Sequence, residues 1–109
     1  EEDLEVSRLS KKLGQPFALR IKALTLKELN EAPIGADRAA HVVLRGVIEP
    51  DLTADALCRK YTPKDRKTPL TPVELINRLF LPGEVINIYT AITDLSGFGE
   101  DAVEKIEKN

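Results

Sequence analysis

With 109 residues the chain can build one domain around one modest core, and it leaves no room for a cofactor-binding domain beside it. Hydrophobic residues make up 42% and charged residues 31%, which excludes global disorder, and a net charge of −2 gives no general attraction for phosphate backbones or anionic lipid. No apolar run approaches the roughly 20 residues that span a bilayer.

The opening Glu1-Glu2-Asp3 is acidic where a secretory signal is basic. The single cysteine, Cys58, cannot form an internal disulfide, so a reducing cytoplasm is the expected compartment. There is no methionine, which leads us to expect a trimmed or incomplete chain.

Residues 1–14 are charged, with Leu4, Val6, Leu9 and Leu13 interspersed, and are expected to form a short helix or a flexible arm. After the breaker Gln15-Pro16, residues 17–24 alternate, with Phe17, Leu19, Ile21 and Ala23 on one face. Period two predicts a half-buried strand. A lone strand is unstable, so it needs a partner, either residues 3–9 or another subunit. Thr25-Leu26-Lys27-Glu28 has the form of a capping box and predicts a helix running towards Asn30, before Pro33 and Gly35 break the chain.

A longer helix is predicted over 36–49, with Ala36, Ala40, Val43, Leu44, Val47 and Ile48 on one stripe and Pro50 ending it. Thr53 is expected to cap a short helix whose apolar face is Leu57, Cys58 and Tyr61. Residues 62–69, TPKDRKTP, read as a solvated loop. Thr71-Pro72-Val73-Glu74 combines an N-cap hydroxyl, a proline at the first helical position and a glutamate three residues on. The helix it opens carries Leu75, Ile76, Leu79 and Phe80.

Leu81-Pro82-Gly83-Glu84 then starts another helix, with Val85, Ile88, Ile92 and Leu95 as its core stripe. Gly97 is expected as a left-handed C-cap with Phe98 folding back, and 99–109 as a last short charged helix or tail. The sum is a mainly α protein: one domain over 1–109, a compact bundle of four to six short helices with a small N-terminal β element.

Catalytic groupings are missing from the sequence. His41 lies within the 36–49 helix and Cys58 on an apolar helix face; nothing in the pattern brings them together as base and nucleophile. A structural histidine and a small buried thiol are the expected roles. One histidine and one cysteine cannot make a zinc site, and Asp51 and Asp55 lack the spacing of a calcium loop. Ser96-Gly97-Phe98-Gly99 follows no strand and precedes no Lys-Ser/Thr, so it is not a phosphate loop. No catalytic residue, cofactor or metal is therefore expected. The basic cluster Arg59, Lys60, Lys64, Arg66 and Lys67 has no interleaved aromatics for base stacking and reads as a solvated helix end and loop.

The leftover signal is apolar. Leu79, Phe80, Leu81 and Phe98 sit at helix junctions. Most such groups go to the core, but these four are the candidates for a partner-binding surface. Helices this short have trouble burying all their apolar faces alone, which client binding or self-association would remedy.

Several stretches carry a resemblance. Phe17-Ala-Leu-Arg-Ile-Lys-Ala-Leu-Thr-Leu-Lys-Glu-Leu29 comes first, followed by Val47-Ile-Glu-Pro-Asp-Leu52, Thr71-Pro-Val-Glu-Leu75, Leu79-Phe-Leu-Pro-Gly-Glu84, Leu95-Ser-Gly-Phe98 and Glu107-Lys-Asn109. In this order the chain resembles the XkdN-like tail assembly chaperones of PBSX-like Bacillus prophages and their Gram-positive phage relatives. It departs from them in a shorter stretch between the Thr25 helix and the Val47-Ile48-Glu49-Pro50-Asp51 segment.

The resemblance implies a cytoplasmic adaptor that binds the tape measure protein, helps recruit tail tube subunits and is not retained in the mature tail. A longer form made by ribosomal frameshift is also implied, and Glu107-Lys108-Asn109 can be encoded GAA AAA AAC, which holds a slippery heptamer. The competing expectations are a structural tail or connector protein retained in the particle, and a small helical DNA-binding regulator supported only by the basic loop.

Overall fold

Nine elements can be traced in the computed structural model, which describes residues 1–97. Residues 1–14 form β1 (Glu2–Glu5) and α1 (Ser7–Leu13), the latter ending on Gly14 in the left-handed conformation. β2 (Ala18–Ile21) follows and pairs antiparallel with β1, with Leu4 opposite Leu19 and Asp3 opposite Arg20. The strand thus finds its partner inside the chain. Leu19 and Ile21 are fully buried while Ala18 and Arg20 face solvent, as the alternation requires.

β2 is shorter than residues 17–24, and Ala23, expected on its buried face, is exposed. The backbone leaves the ladder after Ile21: the Lys22 N–H donates to the Gly46 carbonyl (2.9 Å), and the Leu24 N–H donates to Ser96 Oγ (2.9 Å). Leu24 takes the buried place instead.

Two helix starts follow the local rule that reads them. At α2 (Leu26–Glu31) the Glu28 N–H donates to Thr25 Oγ1, and the Thr25 N–H donates to Glu28 Oε1, both at 3.1 Å. α3 (Arg38–Gly46) comes next and corrects the 36–49 helix. It stops at Gly46, and Val47–Glu49 becomes β3, antiparallel to β2 on the side away from β1.

Val47 is still buried, but Ile48 turns outward. The reason is that β-branched Val47 and Ile48 fit a pleated strand as well as a helix. The Gly46 carbonyl also accepts from the N–H of Lys22, the residue just after β2.

α4 (Asp55–Lys60) starts at Ala54, and Thr53 is not its cap. The Thr53 N–H (3.0 Å) and hydroxyl (2.6 Å) both donate to Asp51 Oδ1, so Asp51 closes a turn ahead of the helix and the Thr53 hydroxyl is used there. The second capping box opens α5 (Pro72–Leu79): the Glu74 N–H reaches Thr71 Oγ1 at 3.3 Å and the Thr71 N–H reaches Glu74 Oε1 at 3.0 Å. Such caps contribute about 1 kcal/mol each. At α6 (Pro82–Leu95) the Leu81 N–H donates to Glu84 Oε1 at 2.8 Å, with no hydroxyl to complete the box. Gly97 has the positive φ (97°) expected of a C-cap; Phe98 and the 99–109 segment lie outside the described residues.

The protein is mainly helical, with six helices and a three-stranded antiparallel sheet in the order β1-β2-β3 among the described residues. α3 lies against α5 and α6. Val42, Val43, Ile76, Ile88 and Ile92 meet Leu19 and Ile21 of the sheet in one core, none more than 4% exposed. Each such side chain contributes about 1.5–3 kcal/mol by leaving water. No polar side chain is buried without a partner among the described residues.

Candidate protein-binding surface

The α5–α6 junction sorts the sequence candidates by burial. Leu79 (9% exposed) ends α5 facing the core. Phe80 (3%) follows in extended conformation, its N–H held by the Ile76 carbonyl at 3.0 Å, so the ring is driven inward. Leu81, at the N-cap of α6, is 52% exposed. The structure therefore separates neighbours that the sequence groups together, and Leu81 is the accessible member among the described residues. Phe98 lies outside them.

Beside Leu81 runs a shallow cleft of about 280 Å³. Ala36, Ala39 and Ala40 line it from the α3 side and Phe80, Pro82 and Ile86 from the α6 side, with Asp37 and Asn77 as its polar members. The small alanines leave the hollow, and Phe80 closes it from the core. Two further apolar groups are exposed, Ile86 in the cleft lining and Ile34 in the segment that leads into it. Ile86 is 53% exposed, and Ile34, two residues before Ala36 and so within ~7 Å of it, is 95% exposed.

Single exposed apolar residues are ordinary; a mostly apolar cleft with exposed apolar neighbours is the candidate interaction surface. Neither isoleucine stands out in the sequence reading. Ile86 was detectable as an isoleucine off the Val85-Ile88-Ile92 stripe, whereas Ile34 sits between Pro33 and Gly35, where no periodicity applies.

No cluster of three or more His, Cys, Asp or Glu that could hold a metal occurs among the described residues. His41 is half-buried on α3. Cys58 is buried on α4, and burial, helped by Asp55 and Asp51, pushes its thiol pKa up, away from the reactive thiolate.

The basic cluster is partly neutralised. Arg59 approaches Asp55 at 3.8 Å. Arg66 makes a forked pair with Glu74 at 2.6 and 2.8 Å, and its Nε donates to the Thr68 carbonyl. That fork, with the Thr71 N–H second, draws the Glu74 carboxyl down to about 2. Arg66 thus works as a staple across the 62–69 loop.

No described helix is long and apolar enough to cross a membrane. What these features define is a small, mainly helical fold with exposed apolar groups. The chain belongs to the phage XkdN-like tail assembly chaperone family, whose model matches residues 36–109, about two thirds of the chain. The match takes in α3 to α6 and β3, while β1, α1, β2 and α2 precede it. No curated protein and no solved structure matches the chain.

Proposed function

We propose that this chain, acting as one domain over 1–109, is a non-enzymatic chaperone of a PBSX-like phage tail. It binds the tape measure protein, helps recruit tail tube subunits, works in the host cytoplasm and is absent from the finished particle. The family match over residues 36–109 is the observation that carries the reading. The exposed Ile86 in the α3–α6 cleft and Leu81 beside it in the chain, with exposed Ile34 in the segment before Ala36, support it, because a holdase needs apolar surface matched to helical client segments rather than a reactive group. A longer form made by frameshift at Glu107-Lys108-Asn109 belongs to the same proposal. Codons that interrupt the run of A, or the lack of an open frame beyond it, would remove that part.

Co-expression with the tape measure protein of the same phage tests the main claim. The tape measure should become soluble and co-purify, and mass spectrometry of purified particles should lack the chaperone. An insoluble tape measure, together with this chain found in the particle, would move a retained structural role to the front.

A further inference from the structure

A second groove, of about 630 Å³, lies on a different part of the molecule, where α1, α4 and the end of α5 meet. Its apolar lining comes from Leu9, Leu13, Phe17, Tyr61 and Leu79. Leu9 and Leu79 are nearly buried, while Leu13 is half exposed with no core function to explain it.

Arg8 and Lys12 on α1, Lys60 on α4 and Arg78 on α5 bring four cations to the same groove, and no carboxylate among the described residues lines it. Arg8 is neutralised by Glu84. Lys12, Lys60 and Arg78 have no carboxylate within 4.0 Å among the described residues. The Lys60 ammonium sits 5.8 Å from the centre of the Tyr61 ring, which holds one cation at the apolar surface. This local excess of positive charge stands on a chain whose net charge is −2.

The walls are also fixed in advance. Arg8 donates to the Leu79 carbonyl at 3.0 Å as well as to Glu84, tying α1 to the α5–α6 junction. Phe17 is held by its N–H to Ser10 Oγ (2.8 Å) and by its carbonyl to the Val6 N–H (3.0 Å). A groove built this way needs little reordering to receive a ligand.

We infer that this groove docks an acidic amphipathic helix of a partner protein. The apolar lining asks for an apolar stripe, and the cations ask for acids flanking it, which is the layout of one face of a helix. An extended peptide fits poorly. Strand addition needs a free sheet edge, and both edges of β2, the strand after Phe17, are taken by β1 and β3. A nucleic acid would use the cations but leave the apolar lining unmatched.

The inference rests on the protein-binding reading above and names the chemistry of one partner segment. Half of the groove, α1 and Phe17, comes from residues that precede the family match.

The probe is a labelled synthetic peptide of about 18 residues, glutamate-rich with leucines at helical spacing. It is compared in fluorescence anisotropy with a scrambled peptide of equal composition and with a single-stranded oligonucleotide. The amphipathic peptide should bind at least about tenfold more tightly than the scramble, and Lys12→Glu with Arg78→Glu should weaken it about tenfold or more. The same double variant should gain affinity for a lysine-rich version of the peptide, a rescue that a misfolded protein could not give.

Equal binding of peptide and scramble, preference for the oligonucleotide, or indifference to the double variant would each overturn the inference. If the tape measure co-purifies while the peptide fails these tests, the chaperone reading stands and the groove assignment falls. If the peptide binds as expected while the tape measure does not co-purify, the groove stands and the client assignment falls.

Discussion

Gly46 and Ile92 touch so closely that a Cβ on Gly46 would lie 2.5 Å from Ile92 Cδ1 and 2.8 Å from Cγ2. The last residue of α3 is therefore a glycine for reasons of space, and the contact sets how closely α3 and α6 approach. Ile92 is fully buried and branched at Cβ, so it cannot swing away cheaply. Gly46→Ala should cost about 1–3 kcal/mol by overpacking. Urea midpoints check this, and the penalty should shrink in an Ile92→Ala background, since that change removes the opposing atoms.

Acid should weaken the 62–74 segment. The Glu74 carboxyl, ordinarily near 4.5, is drawn down to about 2, chiefly by the Arg66 fork. A depressed carboxylate contributes stability that is complete above its unfolded pKa and is lost as pH falls through the folded one. Here the loss runs from about pH 4.5 down to about pH 2. Glu84, lowered mainly by Arg8, acts with the same sign. Glu74→Gln should flatten the fall in urea midpoint on acidification, and an unchanged slope would show that the fork contributes little in solution.

Cys58 should behave as an inert thiol. It is buried, and its pKa is raised by burial first and by Asp55 and Asp51 after. A disulfide reagent should leave it unmodified in the native protein and label it fully in denaturant, with a native rate set by local opening. Rapid native labelling would mean that α4 opens readily.

The local chemistry was legible in the sequence and the tertiary choices were not. Thr25 with Glu28 and Thr71 with Glu74 act within one turn, so their spacing alone determines both capping boxes. Leu19 and Ile21 alternate with exposed neighbours, so their strand could be read as well. Val47 and Ile48 satisfy both a helical stripe and a strand, and only the pairing with β2 decides between them. Asp51 and Thr53 are both capable of opening a turn, and a hydrogen bond between the two decides which does.

At the candidate surface the sequence located the α5–α6 junction but could not assign faces. Phe80 and Leu81 are adjacent, and the direction in which the chain leaves α5 sends one inward and the other out. Ile34 carries no periodic signal at all, because its flanking proline and glycine suspend the pattern that would reveal it.

That division between Phe80 and Leu81 makes the proposed surface separable from the fold. Phe80 is buried and Leu81 is half exposed, so substitutions one residue apart should have opposite effects. Phe80→Ala should cost about 3–5 kcal/mol and reduce the yield of folded protein. Ile86→Asp and Ile34→Asp should each stay within about 0.5 kcal/mol of the parent in urea titration, as expected for exposed positions away from caps and core, whereas Leu81→Asp, at the N-cap of α6, should hold or raise stability by up to about 1 kcal/mol by supplying the missing cap acceptor.

The Leu81→Asp, Ile86→Asp pair should nevertheless lose co-purification of the tape measure protein, because acids placed at the rim must be desolvated against an apolar client face. Full retention of the client by this folded double variant would move the binding surface elsewhere on the molecule. The basic groove between α1 and α5 would then be the next surface to alter, and its charge-reversed variant provides the comparison.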